Sequence, residues 1–120
     1  MQLLAENSTE GKLTNGLGLI PGQVVKISCP SDMALPHVGW NEVSFLKKNN
    51  LFNEIENNPC FYFVHSYCFK TKDKYITSKT DYGVEIIASV QYENIMGVQF
   101  HPEKSQRKGL KLLSNFLKII

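Results

Sequence analysis

Apolar residues along this chain come in short runs of strand length, and only one stretch near the end has a helical period. Phe61-Tyr62-Phe63-Val64 is apolar throughout, which predicts a strand that is central rather than at an edge and that stops at His65-Ser66-Tyr67. Gln23 to Ile27 offers a second strand through Val24, Val25 and Ile27. Pro30 to Pro36 reads as a loop, and Pro36 to Val43 as a short extended segment. Tyr82 to Val90 carries Val84, Ile86, Ile87 and Val90, enough for one or two strands, and Glu93 to Phe100 predicts the last. Leu110, Leu113, Leu117 and Ile120, with Phe116 beside them, predict a closing helix capped by Ser105. Lys118 falls in its last turn, where a cation suits the dipole. Met1 to Glu6 reads as a short piece of helix before a polar break from Asn7 to Lys12. Gly16-Leu17-Gly18 and Pro21-Gly22 mark turns. The asparagine-rich stretch from Lys47 to Pro59 holds a connection or one helical turn, with Leu51, Phe52 and Ile55 inward. The expected class is α/β, with few helices for the number of strands and a sheet that reads as incomplete.

The last predicted strand ends abruptly in Gly97-Val98-Gln99-Phe100-His101-Pro102-Glu103-Lys104. Pro102 cannot donate to a ladder and disfavours helical backbone at the residue before it, so His101 is expected extended at the strand tip. Residues two apart in extended chain project to one side, which brings Glu103 within reach of the imidazole. A carboxylate on one ring nitrogen fixes the tautomer and leaves the other nitrogen free as a base. An isolated His-x-Glu is, however, common in solvated strand-to-helix loops.

Composition narrows the field. At 120 residues, 42% hydrophobic and 20% charged, the chain is an ordinary globular sequence of one domain or less. A net charge of +2, without a basic block, argues against a nucleic-acid or membrane-surface partner. Lys47-Lys48 and Lys108 are scattered; Lys70, Lys72 and Lys74 fit a wet loop or edge strand, or a phosphate-facing patch. Cys29, Cys60 and Cys68 are odd in number with no Cys-x-x-Cys spacing and no secretory segment before them, so free thiols in the cytoplasm are expected. No apolar run is long enough to span a bilayer. His65-x-x-Cys68 has metal-ligand character, but no second pair completes a site.

Four segments in order carry a family resemblance: Gly16-Leu-Gly-Leu-Ile-Pro-Gly22, Pro36-His-Val-Gly-Trp-Asn-Glu-Val43, Phe61-Tyr-Phe-Val-His-Ser-Tyr67 and Gly97-Val-Gln-Phe-His-Pro-Glu-Lys-Ser105. Together they resemble the class I, triad-type glutamine amidotransferases, and within them the glutaminase subunits of imidazole glycerol phosphate synthase. The resemblance implies a flavodoxin-like α/β domain with a mixed sheet and flanking helices, of which residues 1–120 match the carboxy-terminal part. It implies hydrolysis of glutamine to glutamate and ammonia by a Cys-His-Glu triad, with His101 as base and Glu103 as its orienter. The nucleophilic cysteine of the family sits in a Gly-x-Cys-x-Gly elbow that would lie three residues before Met1. None of Cys29, Cys60 or Cys68 occupies such an elbow. The chain alone is therefore expected to be inactive, and poorly soluble where lost strands expose sheet edge.

By the same resemblance Gln2, His65, Ser66 and Tyr67 line the glutamine pocket, although His65 alone reads equally as a satisfied strand-end histidine and Tyr67 as a core aromatic. His37, Gly39, Trp40, Asn41 and Lys104 match the face that meets a HisF-type (β/α)8 barrel subunit in a heterodimer, where Trp40 would be the anchor; core filling is its plainer reading. No cofactor or metal is implied. Two other readings stay open: a partner that aminates a surface sugar, and a non-catalytic remnant that only binds the barrel.

Overall fold

The computed structural model describes residues 1–47 and 49–119; Lys48 of the scattered lysines and Ile120 of the closing helix lie outside the described residues. Among the described residues, two sheets share the chain. The smaller holds β1 (Asn7–Ser8), β2 (Thr14–Asn15), β3 (Gln23–Lys26) and β6 (Tyr67–Lys70) in the order β2-β1-β3-β6, with β1 and β3 parallel and the other pairs antiparallel. The larger is antiparallel and runs β5-β4-β7-β8-β9, built from β4 (His37–Phe45), β5 (Cys60–His65), β7 (Ile76–Asp81), β8 (Glu85–Tyr92) and β9 (Ile95–Val98). The helix α1 (Gln106–Ile119) closes the fold, and short 3-10 turns occupy Gln2–Leu4, Asn50–Phe52, Asp73–Tyr75 and Pro102–Lys104.

A single residue joins β5 to β6 across the two sheets. β5 ends at His65 and β6 begins at Tyr67, so the chain passes from one sheet to the other through Ser66, whose carbonyl accepts from Ile27 N at 2.9 Å. Strands that change sheets this way make the corners of packed β layers.

β8 is the most enclosed strand: Ile86 to Val90 are all buried, with Ile87 and Val90 packed toward Ala5, Ile20, Val24 and Phe69, and Ala88 toward Phe61, Phe63, Phe100 and Leu112. The expectation that Phe61–Val64 would be central is corrected. Among the described residues β5 is an edge strand, and its outer side is served by a turn. Tyr62 O accepts from His101 N at 2.9 Å and Tyr62 N donates to Ser105 Oγ at 3.0 Å. Its apolar content is explained by aromatic stacking, since the Phe61 ring lies 4.0 Å from that of Phe100.

The helix forms where predicted but turns a different face inward. Gly109, Leu112 and Asn115 are its buried residues, whereas Leu110, Leu113, Phe116 and Leu117 are exposed. Asn115 replaces an apolar contact with two hydrogen bonds, Nδ2 donating to Leu51 O at 2.9 Å and Asn53 O at 2.8 Å. A Cβ at position 109 would sit 1.8 Å from Pro102 O, so only glycine lets the helix cross the Pro102–Lys104 turn this closely. Ser105 directly precedes α1 and its carbonyl accepts from Gly109 N, yet its hydroxyl does not cap the helix; it donates to His101 O at 2.6 Å and accepts from Tyr62 N.

Candidate functional site

His101 sits where β9 has ended, with extended backbone (φ −101°, ψ 97°), as Pro102 requires. Its Nδ1 lies 2.7 Å from Glu103 Oε1. The pairing arises differently from the expected extended geometry: Pro102–Lys104 is a 3-10 turn, and the turn carries the carboxylate back to the ring. The Glu103 backbone N–H and the His101 imidazole hold the Glu103 carboxyl below its usual range. An ionised carboxylate accepts only, so Nδ1 carries the proton and Nε2 is the free lone pair.

His101 forms part of the wall of an open cavity of about 710 Å³, together with Gln2, Glu10, His65, Ser66 and Tyr67. Met1 also lies in that wall, and its side chain lies against Gly97 on β9. Residues far apart in sequence, Met1 and Gln2 on one side and Gln99 to His101 on the other, thus share one hollow. The Gln2 amide is held by Nε2 donating to Tyr67 O at 2.8 Å and to Gln99 Oε1 at 3.0 Å. His65 Nδ1 lies 2.8 Å from the same Tyr67 carbonyl, which makes that oxygen a junction for two donors. His65 is buried, and desolvation lowers its pKa, with the Tyr67 carbonyl acting the other way and His101 adding a smaller push downward.

All six residues expected at the base and pocket (Gln2, His65, Ser66, Tyr67, His101, Glu103) fall in or beside this cavity, Glu103 through its bond to His101. Sequence reasoning missed Glu10, the carboxylate-bearing residue of the wall. Its only signal was a lone acid in a polar stretch, which resembles any solvated turn. None of the three cysteines lines the cavity, and burial pushes the Cys68 thiol up. Cys68 packs with Ile27 and Ile86 while His65 turns to His37, so the two are not a ligand pair.

The residues expected to face a partner divide. Trp40 stands half exposed on β4, its ring 5.8 Å from that of Tyr62, and Lys104 Nζ lies 5.7 Å above the same Tyr62 ring. Val38 and Val64, paired across β4 and β5, are exposed beside them. Gly39 lies between Val38 and Trp40 at φ +124°, backbone that favours glycine. His37 is the correction. It is only 3% exposed, stacked on Phe63 at 4.9 Å and against Tyr82 at 4.1 Å, so it cannot contribute to a docking face. Alternation along the strand explains this, since Val38 and Trp40 point out where His37 points in. Asn41 is half-buried, its Nδ2 donating to Asp81 O at 2.7 Å.

Comparison with known proteins gives the family. The model of the glutamine amidotransferase class-I family matches residues 1–120. The chain is 51% identical over 117 residues to the imidazole glycerol phosphate synthase subunit HisH 2 of Vibrio vulnificus, covering 98% of this chain and 55% of that protein. It is 47% identical to subunit HisH 1 of a Campylobacter jejuni strain and 45% identical to subunit HisH of Archaeoglobus fulgidus, covering 99% and 100% of this chain and 59% and 60% of theirs. The chain therefore spans a little over half the length of the curated relatives it matches. A solved structure from Thermoplasma acidophilum, described as a GMP synthase component, superposes with a TM-score of 0.66 at 20% identity, covering 82% of this chain and 48% of that one, a likeness of fold alone. With a family match running from first residue to last, on a fold that brings His101, Glu103 and Gln2 to one cavity, the chain belongs to the class-I glutamine amidotransferases.

Proposed function

We propose that this chain supplies the base, its orienter and the glutamine pocket of the glutaminase subunit of an imidazole glycerol phosphate synthase. The observation that carries the reading is the convergence of Gln2, from one end of the chain, and the His101–Glu103 pair, from the other, on one cavity. The names of the relatives at 45–51% identity support the particular enzyme.

His101 Nε2 takes the proton from a cysteine thiol, and the thiolate attacks the glutamine side-chain amide. The resulting imidazolium, held by Glu103, returns a proton to the departing ammonia. Glu10 offers a carboxylate to the substrate's α-ammonium group, and the Gln2 amide, with both N–H donors engaged by Tyr67 and Gln99, offers its oxygen as a further acceptor. The cysteine would come from the part of a longer glutaminase domain that this chain, spanning 55–60% of the relatives' length, does not match. Ammonia then passes to a HisF-type (β/α)8 barrel docked on Trp40, Tyr62 and Lys104. Keeping it out of bulk water preserves the neutral nucleophile. A cytoplasmic heterodimer goes with this reading.

The test is a chimera that joins the unmatched amino-terminal part of the Vibrio vulnificus relative to this chain. Ammonia release from glutamine, raised by that relative's barrel subunit and lost in His101→Ala, is the expected result. A chimera that binds the barrel but releases no ammonia would establish the non-catalytic reading instead. Pairing with a barrel from surface-sugar synthesis in preference to the histidine one would redirect the pathway.

A further inference from the structure

Behind the cavity wall, Asn41, His37 and His65 form a run of hydrogen bonds whose direction is fixed by its ends. Asn41 Oδ1 accepts from Glu42 N at 2.9 Å and Nδ2 donates to Asp81 O at 2.7 Å, so the amide has one orientation. Nδ2 has a second hydrogen and lies 3.2 Å from His37 Nε2, which must accept. His37 therefore carries its proton on Nδ1, 2.9 Å from His65 Nε2, which must accept in turn. The His65 proton is left on Nδ1, where it meets the Tyr67 carbonyl at 2.8 Å. Each contact pairs one donor with one acceptor, and both rings are neutral. A proton added to either ring would set two N–H groups head to head. Burial and the neighbouring His65 lower His37 to about 4, in agreement with that arrangement.

We propose that His37 is a positioning residue for the glutamine pocket: its Nδ1–H locks the His65 tautomer, and His65 in turn holds the Tyr67 carbonyl in place beside the Gln2 amide. The proposal rests on the function proposed above only for the identity of the ligand. His37 touches no substrate, since it is buried behind His65 and outside the cavity wall. Its rings of contact, Phe63 and Tyr82, fix where it sits, and its two nitrogens fix what it does. A carbonyl that takes two donors, one from Gln2 and one from His65, is sensitive to the loss of either.

Nuclear magnetic resonance of the full chain labelled with 15N and 13C reads this directly. Two-bond 15N–1H spectra are expected to show His37 and His65 each as a single Nδ1–H tautomer at pH 7.5. An Nε2–H tautomer at His65, or a rapid mixture, would overturn the proposal without any variant. His37→Phe keeps the stacking and removes the donor; His65 should then populate both tautomers, the Tyr67 carbonyl 13C shift should move, and the glutamine Kd should rise about tenfold. His37→Asn, whose amide nitrogen can replace Nδ1, should restore the His65 tautomer. Asn41→Asp puts an acceptor against His37 Nε2 and should draw the His37 proton there. If it leaves both rings unchanged, the bonds are not a relay and the proposal fails. A chain that shows these tautomers and their responses but binds no glutamine would sink the proposed function and leave the positioning role standing.

Discussion

The backbone N–H of His101 donates to the carbonyl of Tyr62 at 2.9 Å, and the ring of that same tyrosine lies beneath Lys104 Nζ and beside Trp40. The peptide that anchors the candidate base thus belongs to a residue whose side chain is part of the exposed apolar face. Ser105 doubles the link, its hydroxyl joining Tyr62 N to His101 O.

The first prediction concerns that base. In the chimera, His101→Ala should lower ammonia release by about 10²- to 10⁴-fold, the usual worth of a positioned base. Glu103→Gln should lower it by up to about 10⁴-fold, because the imidazolium loses its counter-charge and the ring its fixed tautomer. Rates that match the unsubstituted chimera in both would remove the pair from the chemistry.

Trp40→Ala should weaken binding to the barrel subunit by about 2 kcal/mol, or roughly 30-fold in Kd, while leaving the melting temperature almost unchanged. The side chain is half exposed, so the isolated fold does not depend on it. Calorimetric titration separates the two effects.

Stability should fall as the pH drops from about 6.5 to about 4. The unfolded chain protonates His37 near 6.5, whereas the native state, which holds the ring neutral between His65, Asn41 and the Tyr82 ring, resists to about 4. The unfolded state then binds more protons in this window, so stability is full above it and is lost through it. A shift from 6.5 to about 4 corresponds to about 3 kcal/mol at most. Thermal melts across this range should slope downward with falling pH, and His37→Phe should reduce the slope, the buried His65 contributing the remainder.

Gly109→Ala should destabilise by about 1–3 kcal/mol despite alanine's better helix propensity, because the methyl must displace either α1 or the carbonyl of Pro102. Urea unfolding measures it. A gain in stability would contradict the close crossing.

On the same helix, Leu112→Ala should cost about 2–5 kcal/mol, whereas Leu110→Ala and Leu117→Ala should stay within about 0.5 kcal/mol. This reverses the ranking that helical spacing alone suggests, and it follows from which side chains are buried.

That reversal shows where sequence was informative. The His101–Glu103 pair was legible because proline constrains its neighbours through covalent geometry, which needs no tertiary context. The strands rich in Val, Ile and Phe were legible from their apolar content. β7 was not, since beyond Ile76 its buried positions are Thr77, Ser78 and Thr80. They tolerate burial by bonding across the sheet: Thr77 Oγ1 to Ser89 Oγ at 2.6 Å, Ser78 Oγ to the same hydroxyl, and Thr80 Oγ1 to Glu42 O at 2.7 Å. The inner face of α1 was hidden for a similar reason, being written in glycine and asparagine. His37 was misplaced because a resemblance marks which segment matters, while strand alternation decides which of its residues face outward.

The passage from β5 to β6 through Ser66 alone has a consequence for how this pocket can change. Sites carried on loops diversify by insertion and deletion. Here one extra residue would shift the β6 register and exchange its two faces, turning Phe69 away from Val24 and Val90 and into the smaller space that Cys68 fills beside Ile27 and Ile86. The wall at His65–Tyr67 is therefore closed to variation in length, and new substrate preference at this corner must come through replacement of side chains in a frame that stays fixed.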